Sequence, residues 1–163
     1  MAVDDNHHML QVLRTMLNSM GMSDVRLFAD AGVALQDLRI APPDVIFTDW
    51  LMSPMTGGEF VSAIRDENGP VRYTPVIVLT AHASRAMVRQ ARDHGVDYTL
   101  CKPVSVEYCY RAFAQLLHGD RSFVQVGKYF GPDRRRKARP FEFNDRRRED
   151  PIAAENAAAA ASG

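Results

Sequence analysis

Apolar residues occur along the chain in two alternating spacings. In five stretches they recur every three or four residues, as on one face of a helix, and the first stretch runs from Met9 to a stop at Gly21. Between these stretches lie short strand-like segments, and residues 45–48 and 75–79 have the compact apolar pattern of strands buried on both sheet faces. The predicted strands are residues 1–3, 25–28, 45–48, 75–79 and 98–101.

Five strand–helix units therefore follow one another within residues 1–118. Strict alternation with short connections predicts an α/β fold, in which a doubly wound, five-stranded parallel sheet carries helices on both faces. In folds of this kind, functional groups gather at the carboxyl ends of the strands. The polar residues at these ends are thus the first candidates for a functional site.

Polar side chains follow four of the five predicted strands: Asp4 and Asp5, then Asp49, Thr80 and Lys102. Three carboxylates in one crevice repel one another unless a cation neutralises them, and carboxylates with a backbone carbonyl suit Mg²⁺. Asp49, at the tip of a buried strand, is placed to act as a nucleophile that forms an aspartyl phosphate. Lys102 and the Thr80 hydroxyl can then hold the phosphoryl group.

Simpler interpretations exist for each of these residues. Asp49 taken alone could be an ordinary surface acid. Asp4 and Asp5 could cap the first helix and favour its positive amino-terminal end. Thr80 could be an ordinary strand-end hydroxyl, and Lys102 could be a solvated turn residue. The complete set, in which each member follows a strand, favours the phosphoacceptor hypothesis over these alternatives.

Charge and composition narrow the class of protein. The chain carries 20 basic and 20 acidic side chains, with ten basic against thirteen acidic in residues 1–118 and ten against seven in residues 119–163. No apolar run is long enough to span a bilayer, and no basic segment followed by an apolar stretch indicates secretion. Cys101 and Cys109 lack the spacing of metal ligands. The sequence therefore predicts a cytoplasmic protein without a membrane segment.

Four short motifs lie at the predicted strand ends: Asp4-Asp5-Asn6, Asp49-Trp50 with a Met/Pro/Gly loop, Thr80-Ala81 and Lys102-Pro103. Each motif is weak alone. Together they resemble the receiver domain of two-component response regulators, of the stand-alone type with a C-terminal extension. The resemblance covers residues 1–118 and implies a flavodoxin-like fold with strand order 2-1-3-4-5.

The resemblance also implies a metal site. Asp49 would be the phosphoacceptor and would bind Mg²⁺ together with Asp5 and the backbone carbonyl of Leu51. Asp4 would act on the ion mostly through water. The resemblance therefore gives Mg²⁺ as the cofactor.

Further implications concern the phosphoryl group and the signal. Lys102, joined to Pro103 by a cis bond, would pair with the phosphoryl group, and Thr80 would move toward it and draw the next loop inward.

Three features depart from the family pattern. The proline of the loop after Asp49, Pro54, stands one place later than usual. Thr99 stands where an aromatic switch residue is usual. Only residues 1–3 precede the paired acids, which predicts a frayed first strand and either a misplaced start codon or a truncated sequence.

Two aromatic side chains lie beside these motifs in the sequence. Trp50 is expected to be a partly exposed ring next to Asp49 that can report on the site. His82, two residues after Thr80, is a candidate for influencing hydrolysis of the phosphate.

The regular spacings end at Gly119. Residues 119–163 contain two Asp-Arg-Arg-Arg repeats, twelve positions apart, and end in an alanine-rich run. Too few apolar side chains are present to offset the entropy of ordering, so we expect a mostly disordered, Arg-rich tail. Arginines among aromatic residues can bind nucleic acid, but the interspersed acids favour a linker or a partner-binding segment.

The preferred hypothesis is a signalling protein rather than an enzyme. It receives a phosphoryl group on Asp49 from a histidine kinase or a histidine phosphotransfer protein, and it changes a protein-binding surface formed by helix four, strand five and helix five. Two copies could also pair through this surface. Two alternatives remain open: an interaction module that is not phosphorylated, and a tail-mediated nucleic-acid binder that the receiver switches.

Overall fold

Strands and helices alternate from the amino terminus in the predicted order, and a hairpin follows them. The computed structural model describes residues 1–81, 83–118 and 122–133. The strands of the main sheet are β1 (Ala2–Val3), β2 (Leu27–Phe28), β3 (Ile46–Asp49), β4 (Val76–Thr80) and β5 (Tyr98–Cys101). The helices are α1 (His7–Ser19), α2 (Ala31–Ile40), α3 (Gly57–Asp66), α4 (Arg85–Asp93) and α5 (Val106–His118). A 3₁₀ helix spans Pro70–Tyr73, and the hairpin consists of β6 (Phe123–Val126) and β7 (Tyr129–Pro132).

The five strands form one parallel sheet in the order β2-β1-β3-β4-β5, which confirms the expected topology. In this order β3 lies at the centre, with β1 on one side and β4 on the other. Asp49 is opposite Leu79, and Thr80 is opposite Cys101. The carboxyl ends of β1, β3, β4 and β5 therefore meet along one edge, as the α/β prediction requires.

Alternate residues of the central strands face two separate cores. Val76 and Val78 pack with α2, α3 and α4, whereas Ile77 and Leu79 pack with α1 and α5 on the other face. Both sets are fully buried, because a parallel sheet covered by helices on both faces leaves neither side to solvent. None of the helices in the described part of the chain combines the length and apolar character needed to cross a bilayer.

The short first strand is not frayed, contrary to our expectation. Ala2 and Val3 are fully buried between β2 and β3. The backbone N–H of Ala2 donates to the Arg26 carbonyl at 2.8 Å, and the N–H of Asp4 donates to the Phe28 carbonyl at 3.1 Å. Since β1 is an inner strand, its neighbours hold it on both sides, and Asp4 is fixed with it.

The start of α1 also differs from one of the simpler interpretations. Asn6, rather than either acid, is the N-cap, and its side-chain oxygen accepts hydrogen bonds from the N–H groups of His8 and Met9. The capping role considered for Asp4 and Asp5 is therefore wrong. Their carboxylates can instead take part in a site at the carboxyl edge of the sheet.

The hairpin β6–β7 was missed by the sequence analysis, which expected no regular structure after Gly119. Its strands pair antiparallel around a two-residue turn, in which Gly127 has a φ of 59°. Phe123 and Phe130 pack edge-on against Tyr73, with ring centroids 5.2 and 5.3 Å away. These contacts anchor the hairpin to the 3₁₀ helix. The two Asp-Arg-Arg-Arg repeats lie mainly, and the alanine-rich run wholly, outside the described residues.

Candidate functional site

Asp49 is the last residue of the central strand, and its surroundings fix its backbone. The next residue, Trp50, donates its N–H to the Leu79 carbonyl of β4 at 3.0 Å. The carbonyl of Trp50 in turn accepts the N–H of Gly57, the first residue of α3, also at 3.0 Å. The Asp49 side chain is 13% exposed, so a small ligand can reach its carboxylate from the edge of the sheet.

Lys102 joins two of the predicted acids. Its ammonium group lies 2.9 Å from Oδ2 of Asp4 and 3.0 Å from Oδ1 of Asp49. The backbone N–H of Lys102 donates to the Thr80 carbonyl at 2.8 Å, which ties the lysine to the end of β4. The peptide bond from Lys102 to Pro103 is cis, as the family resemblance implied.

Three carboxylates converge beside this lysine. One oxygen each from Asp4, Asp5 and Asp49 lies within 4.8 Å of the others. Asp4 is 1% exposed, whereas Asp5 is exposed and accepts the N–H of Ser53 at 3.2 Å. One ammonium group does not balance three carboxylates, so the pocket keeps an excess of negative charge.

The environment shifts the pKa of both central groups upward. Burial raises the pKa of the Asp49 carboxyl; the hydrogen bond and charge of Lys102 oppose this shift, and the negative charge of Asp4 adds to it. For Lys102, burial disfavours the charged form, but the bonds to Asp4 and Asp49 outweigh burial and raise the pKa of the ammonium group. The lysine therefore stays charged at neutral pH.

Gly57 lies against the backbone of Asp49 with no room for a side chain. A β-carbon at this position would be 2.1 Å from the Asp49 carbonyl oxygen and 2.9 Å from Cα of Trp50. Both contacts are to backbone, which cannot rotate away. Thr56 begins α3 immediately before this glycine, through a reciprocal capping box with Glu59. The start of α3 is thus pressed onto the strand end that carries Asp49.

Trp50 is buried, and the expectation of a partly exposed ring is wrong. Its ring packs edge-on against His94, with centroids 5.8 Å apart. The other side of the imidazole is held by Ser62, whose hydroxyl lies 2.7 Å from Nδ1 of His94. Gly58 makes room for this pair, because a β-carbon there would be 3.0 Å from the tryptophan ring and 3.2 Å from Nε2 of His94.

The other predicted residues have the following positions. Thr80 is buried at the end of β4, and Leu51 is exposed in the loop after β3. Thr99, at the position of the expected aromatic switch residue, is a half-buried member of β5. His82 lies outside the described residues.

Sequence reasoning missed Gly57 and His94. The sequence did contain a signal for Gly57. Two glycines follow a threonine that can cap a helix, and the first of them lies eight residues after the strand-end Asp49. Nothing in the sequence singled out His94, because its contact with Trp50 spans 44 positions and depends on how α4 packs against α3.

Comparison with known proteins shows to which family the chain belongs. The family model of the response regulator receiver domain matches residues 1–113 of this chain. The chain belongs to the response regulator receiver family. It is therefore a phosphorelay signalling protein of the two-component class, and not an enzyme in the usual sense.

Individual relatives agree with this assignment. The chemotaxis protein CheY of Pseudomonas aeruginosa is 30% identical over 105 residues, which cover 64% of this chain and 84% of that protein. The structure of CheY4 from Vibrio cholerae matches with a TM-score of 0.65 and 31% identity, over 71% of this chain and 94% of that one. A probable histidine kinase of rice is 33% identical over 134 residues, covering 72% of this chain but 12% of the kinase.

One neighbour bears on the metal. The receiver domain of a sensor histidine kinase from Pseudomonas aeruginosa, solved with a magnesium ion in its active-site cleft, matches with a TM-score of 0.63 and 28% identity, over 71% of this chain and 92% of that one. The family binds Mg²⁺ in an acidic active site. Here the donor set fits such an ion, because three converging carboxylates supply the hard oxygen ligands that Mg²⁺ prefers.

Replacing Asp49 by asparagine is expected to stabilise the fold at neutral pH. The folded-state pKa of Asp49 is raised, so its ionisation costs stability as the pH rises through that pKa, and an amide removes the cost. The thermal midpoint of D49N should exceed that of the wild type by a few degrees at pH 7, and the difference should shrink toward pH ~4. The exposed acid Asp24 supplies the control D24N; a D49N variant less stable than the wild type at pH 7 contradicts the prediction.

Proposed function

We propose that this receiver accepts a phosphoryl group on Asp49 from a phosphohistidine of a histidine kinase or a histidine phosphotransfer protein. The observation that carries the proposal is the ammonium group of Lys102, which contacts Asp4 and Asp49 at the exposed edge of the sheet. A carboxylate held beside a fixed cation, with further acids for a metal, is the arrangement that acyl phosphate formation needs.

The transfer is a displacement at phosphorus. A carboxylate oxygen of Asp49 attacks the phosphorus atom, a P–O bond forms, and the P–N bond to the donor imidazole breaks. The electron pair of that bond goes to the imidazole nitrogen, which takes up a proton. The product is a mixed anhydride on Asp49. Little covalent chemistry falls to the protein, so its contribution is positioning and charge neutralisation.

Lys102 holds the charge that arrives with the phosphoryl group. Its ammonium group already bonds Asp49 at 3.0 Å, and a phosphoryl oxygen on that carboxylate comes within its reach. Thr80 ends the adjacent strand and supplies a hydroxyl to the same product. Its movement toward the phosphoryl group is the event that alters the surface formed by α4, β5 and α5, where partners or a second copy bind.

Mg²⁺, when bound, neutralises the crowded acids and the phosphoryl oxygens. We assign Asp5, Asp49 and the carbonyl of Leu51 as its direct ligands and give Asp4 a role through water. Both oxygens of Asp4 already accept hydrogen bonds, one from the N–H of Asn6 at 2.9 Å and one from Lys102 at 2.9 Å. A carboxylate with two satisfied oxygens suits contact through a water molecule.

The other hypotheses have less support. A module without phosphorylation was considered because a loose first strand would release Asp4 and Asp5, and both neighbours hold β1 in place. Nucleic-acid binding would depend mainly on arginine repeats that lie largely outside the described residues, so that hypothesis stays a prediction. The cytoplasmic location and the identity of the phosphodonor also stay predictions.

Incubation with acetyl phosphate and Mg²⁺ tests the proposal. The wild-type chain should gain the mass of one phosphoryl group, located on the peptide that contains Asp49, and the gain should disappear when EDTA removes the metal. The variant D49N, which keeps the size of the side chain, should gain no mass. An unmodified wild type, or equal labelling of D49N, would contradict the proposal.

A further inference from the structure

The hairpin touches the receiver at a turn that has no room for a side chain. Gly95 follows α4 with a φ of 87°, and it ends the helix together with the Val96 N–H, which bonds the Ala91 carbonyl at 3.1 Å. A β-carbon on Gly95 would be 2.9 Å from the Phe130 carbonyl oxygen, and one on Gly131 would be 2.9 Å from Cα of Gly95. Backbone thus meets backbone between β7 and the α4–β5 turn.

Charged and aromatic groups surround this contact. The guanidinium of Arg72 lies 3.5 Å from the centre of the Phe130 ring, and that of Arg65 lies 5.3 Å from the Phe123 ring. Arg65 also donates its Nε–H to the Gly95 carbonyl at 3.0 Å. One arginine of α3 therefore contacts both the hairpin and the turn that the hairpin covers.

The covered turn is connected to the phosphoacceptor through the rings of His94 and Trp50. His94 precedes Gly95 in the chain, and its ring packs against that of Trp50 at 5.8 Å between centroids. Trp50 follows Asp49, and its backbone is bonded on one side to β4 and on the other to α3. A continuous set of contacts therefore joins Asp49, Trp50, His94, Gly95 and the hairpin.

We infer that the hairpin β6–β7 acts as a latch: it packs on the α4–β5 turn (residues 94–97) and holds the carboxyl end of α4 in place. We infer also that this packing loosens when Asp49 is phosphorylated. The inference rests on the function proposed above. It assigns a regulatory role to a segment that lies beyond the residues that match the receiver family.

The sign of the coupling follows from the packing. A phosphoryl group adds bulk and charge on Asp49, and the next residue in the chain, Trp50, is buried with its ring against His94. Close-packed contacts change between discrete arrangements instead of deforming smoothly. The backbones of Gly95 and Gly131 lie too close to admit a β-carbon between them, so a shift of the carboxyl end of α4 breaks this contact. Because coupling is reciprocal, a looser latch must also favour phosphorylation.

Hydrogen exchange of the complete chain tests the latch directly. With acetyl phosphate and Mg²⁺ present throughout, amides of residues 124–131 should exchange at least about fivefold faster than with Mg²⁺ alone. The variant D49N should show no difference. Intact mass measured on the same samples separates the two proposals. No mass gain overturns both, whereas a mass gain on Asp49 with unchanged exchange in the hairpin overturns the latch alone.

A second arm tests reciprocity without relying on exchange. F130A removes the ring that Arg72 and Tyr73 contact, and R72M removes the cation while keeping the ring. Both should lower the dissociation constant of the chain for beryllofluoride, an unreactive phosphoryl analogue, by about fivefold or more when Mg²⁺ is present, as measured by calorimetry. V126A, at a hairpin position that is 62% exposed, is the matched control and should leave this dissociation constant unchanged. Equal dissociation constants in F130A, R72M and V126A overturn the latch.

Discussion

Replacing Arg65 by methionine is expected to lower the free energy of unfolding by about 3–5 kcal/mol, measured by urea denaturation at pH 7. Arg65 and Asp97 form an ion pair at 2.9 Å, and both side chains are 3% exposed. Methionine fills most of the same volume but removes the guanidinium that pairs with the Asp97 carboxylate. The cost is therefore mainly that of a buried carboxylate that has lost this cation.

Arg65 also satisfies several backbone groups. Its guanidinium donates to the carbonyls of Arg72 and Thr74, both at 2.8 Å, and to the Gly95 carbonyl. Asp97 in turn accepts the N–H of Val76 at 2.8 Å, at the start of β4. The pair thus joins the end of α3 to the first residues of two strands, and the loss of the arginine leaves buried carbonyls unpaired as well.

Two further variants separate the charge from the packing. In the double variant R65M/D97N, an asparagine can still accept the Val76 N–H but carries no charge, so the double variant should be more stable than R65M alone. The surface ion pair of Arg39 and Glu67 is the matched control. R39M breaks this pair where solvent already screens it, so R39M should change the free energy of unfolding little. Equal losses in R65M and R39M would refute the buried-charge explanation.

Replacing Gly57 by alanine is expected to slow phosphorylation of Asp49 on the order of 100-fold, because a displacement of about 1 Å at a reacting group has this effect. The new methyl group would lie 2.1 Å from the Asp49 carbonyl oxygen. The strand cannot yield easily, since β3 is bonded to β1 on one side and β4 on the other. Either α3 shifts away or the end of β3 rotates, and both movements displace the carboxylate.

The same substitution should reduce stability by about 1–3 kcal/mol, as overpacking usually does. Rates with acetyl phosphate and Mg²⁺ and urea denaturation curves measure the two effects. G32A is the control, because Gly32 also lies in the first turn of a helix, and its β-carbon would meet only the side-chain oxygen of Asp30 at 3.0 Å. If G57A retains the wild-type phosphorylation rate, Gly57 does not position Asp49.

The main sheet was predictable because its strands are buried on both faces. Apolar runs such as Val76 to Leu79 are short for a helix and rich in β-branched residues, which favours inner parallel strands, and glycines or prolines separate several of them from the helical stretches. The convergence of Asp4, Asp49 and Lys102 was predictable for a related reason, since parallel strands end at a common edge. The contact of the Lys102 ammonium group with both Asp4 and Asp49 could not be predicted, because it depends on the directions of the side chains.

The remaining features depend on contacts between distant parts of the chain. The hairpin has the sequence signal of a two-residue turn at Gly127 and Lys128, but its apolar residues alone are too few to predict a folded element. Tyr73 and Arg72 of the 3₁₀ helix complete the cluster with Phe123 and Phe130. Burial of Trp50 likewise requires a glycine in α3 and a histidine after α4, which no local pattern brings together.

The hairpin and the phosphoacceptor lie at opposite ends of the sheet. Asp49 and Lys102 follow the carboxyl ends of their strands, whereas the hairpin covers Gly95 and Tyr73, which precede β5 and β4. A donor protein that docks over Asp49 therefore leaves the opposite end of the domain open. Docking of a phosphodonor over Asp49 and loosening of the hairpin therefore need not compete for space.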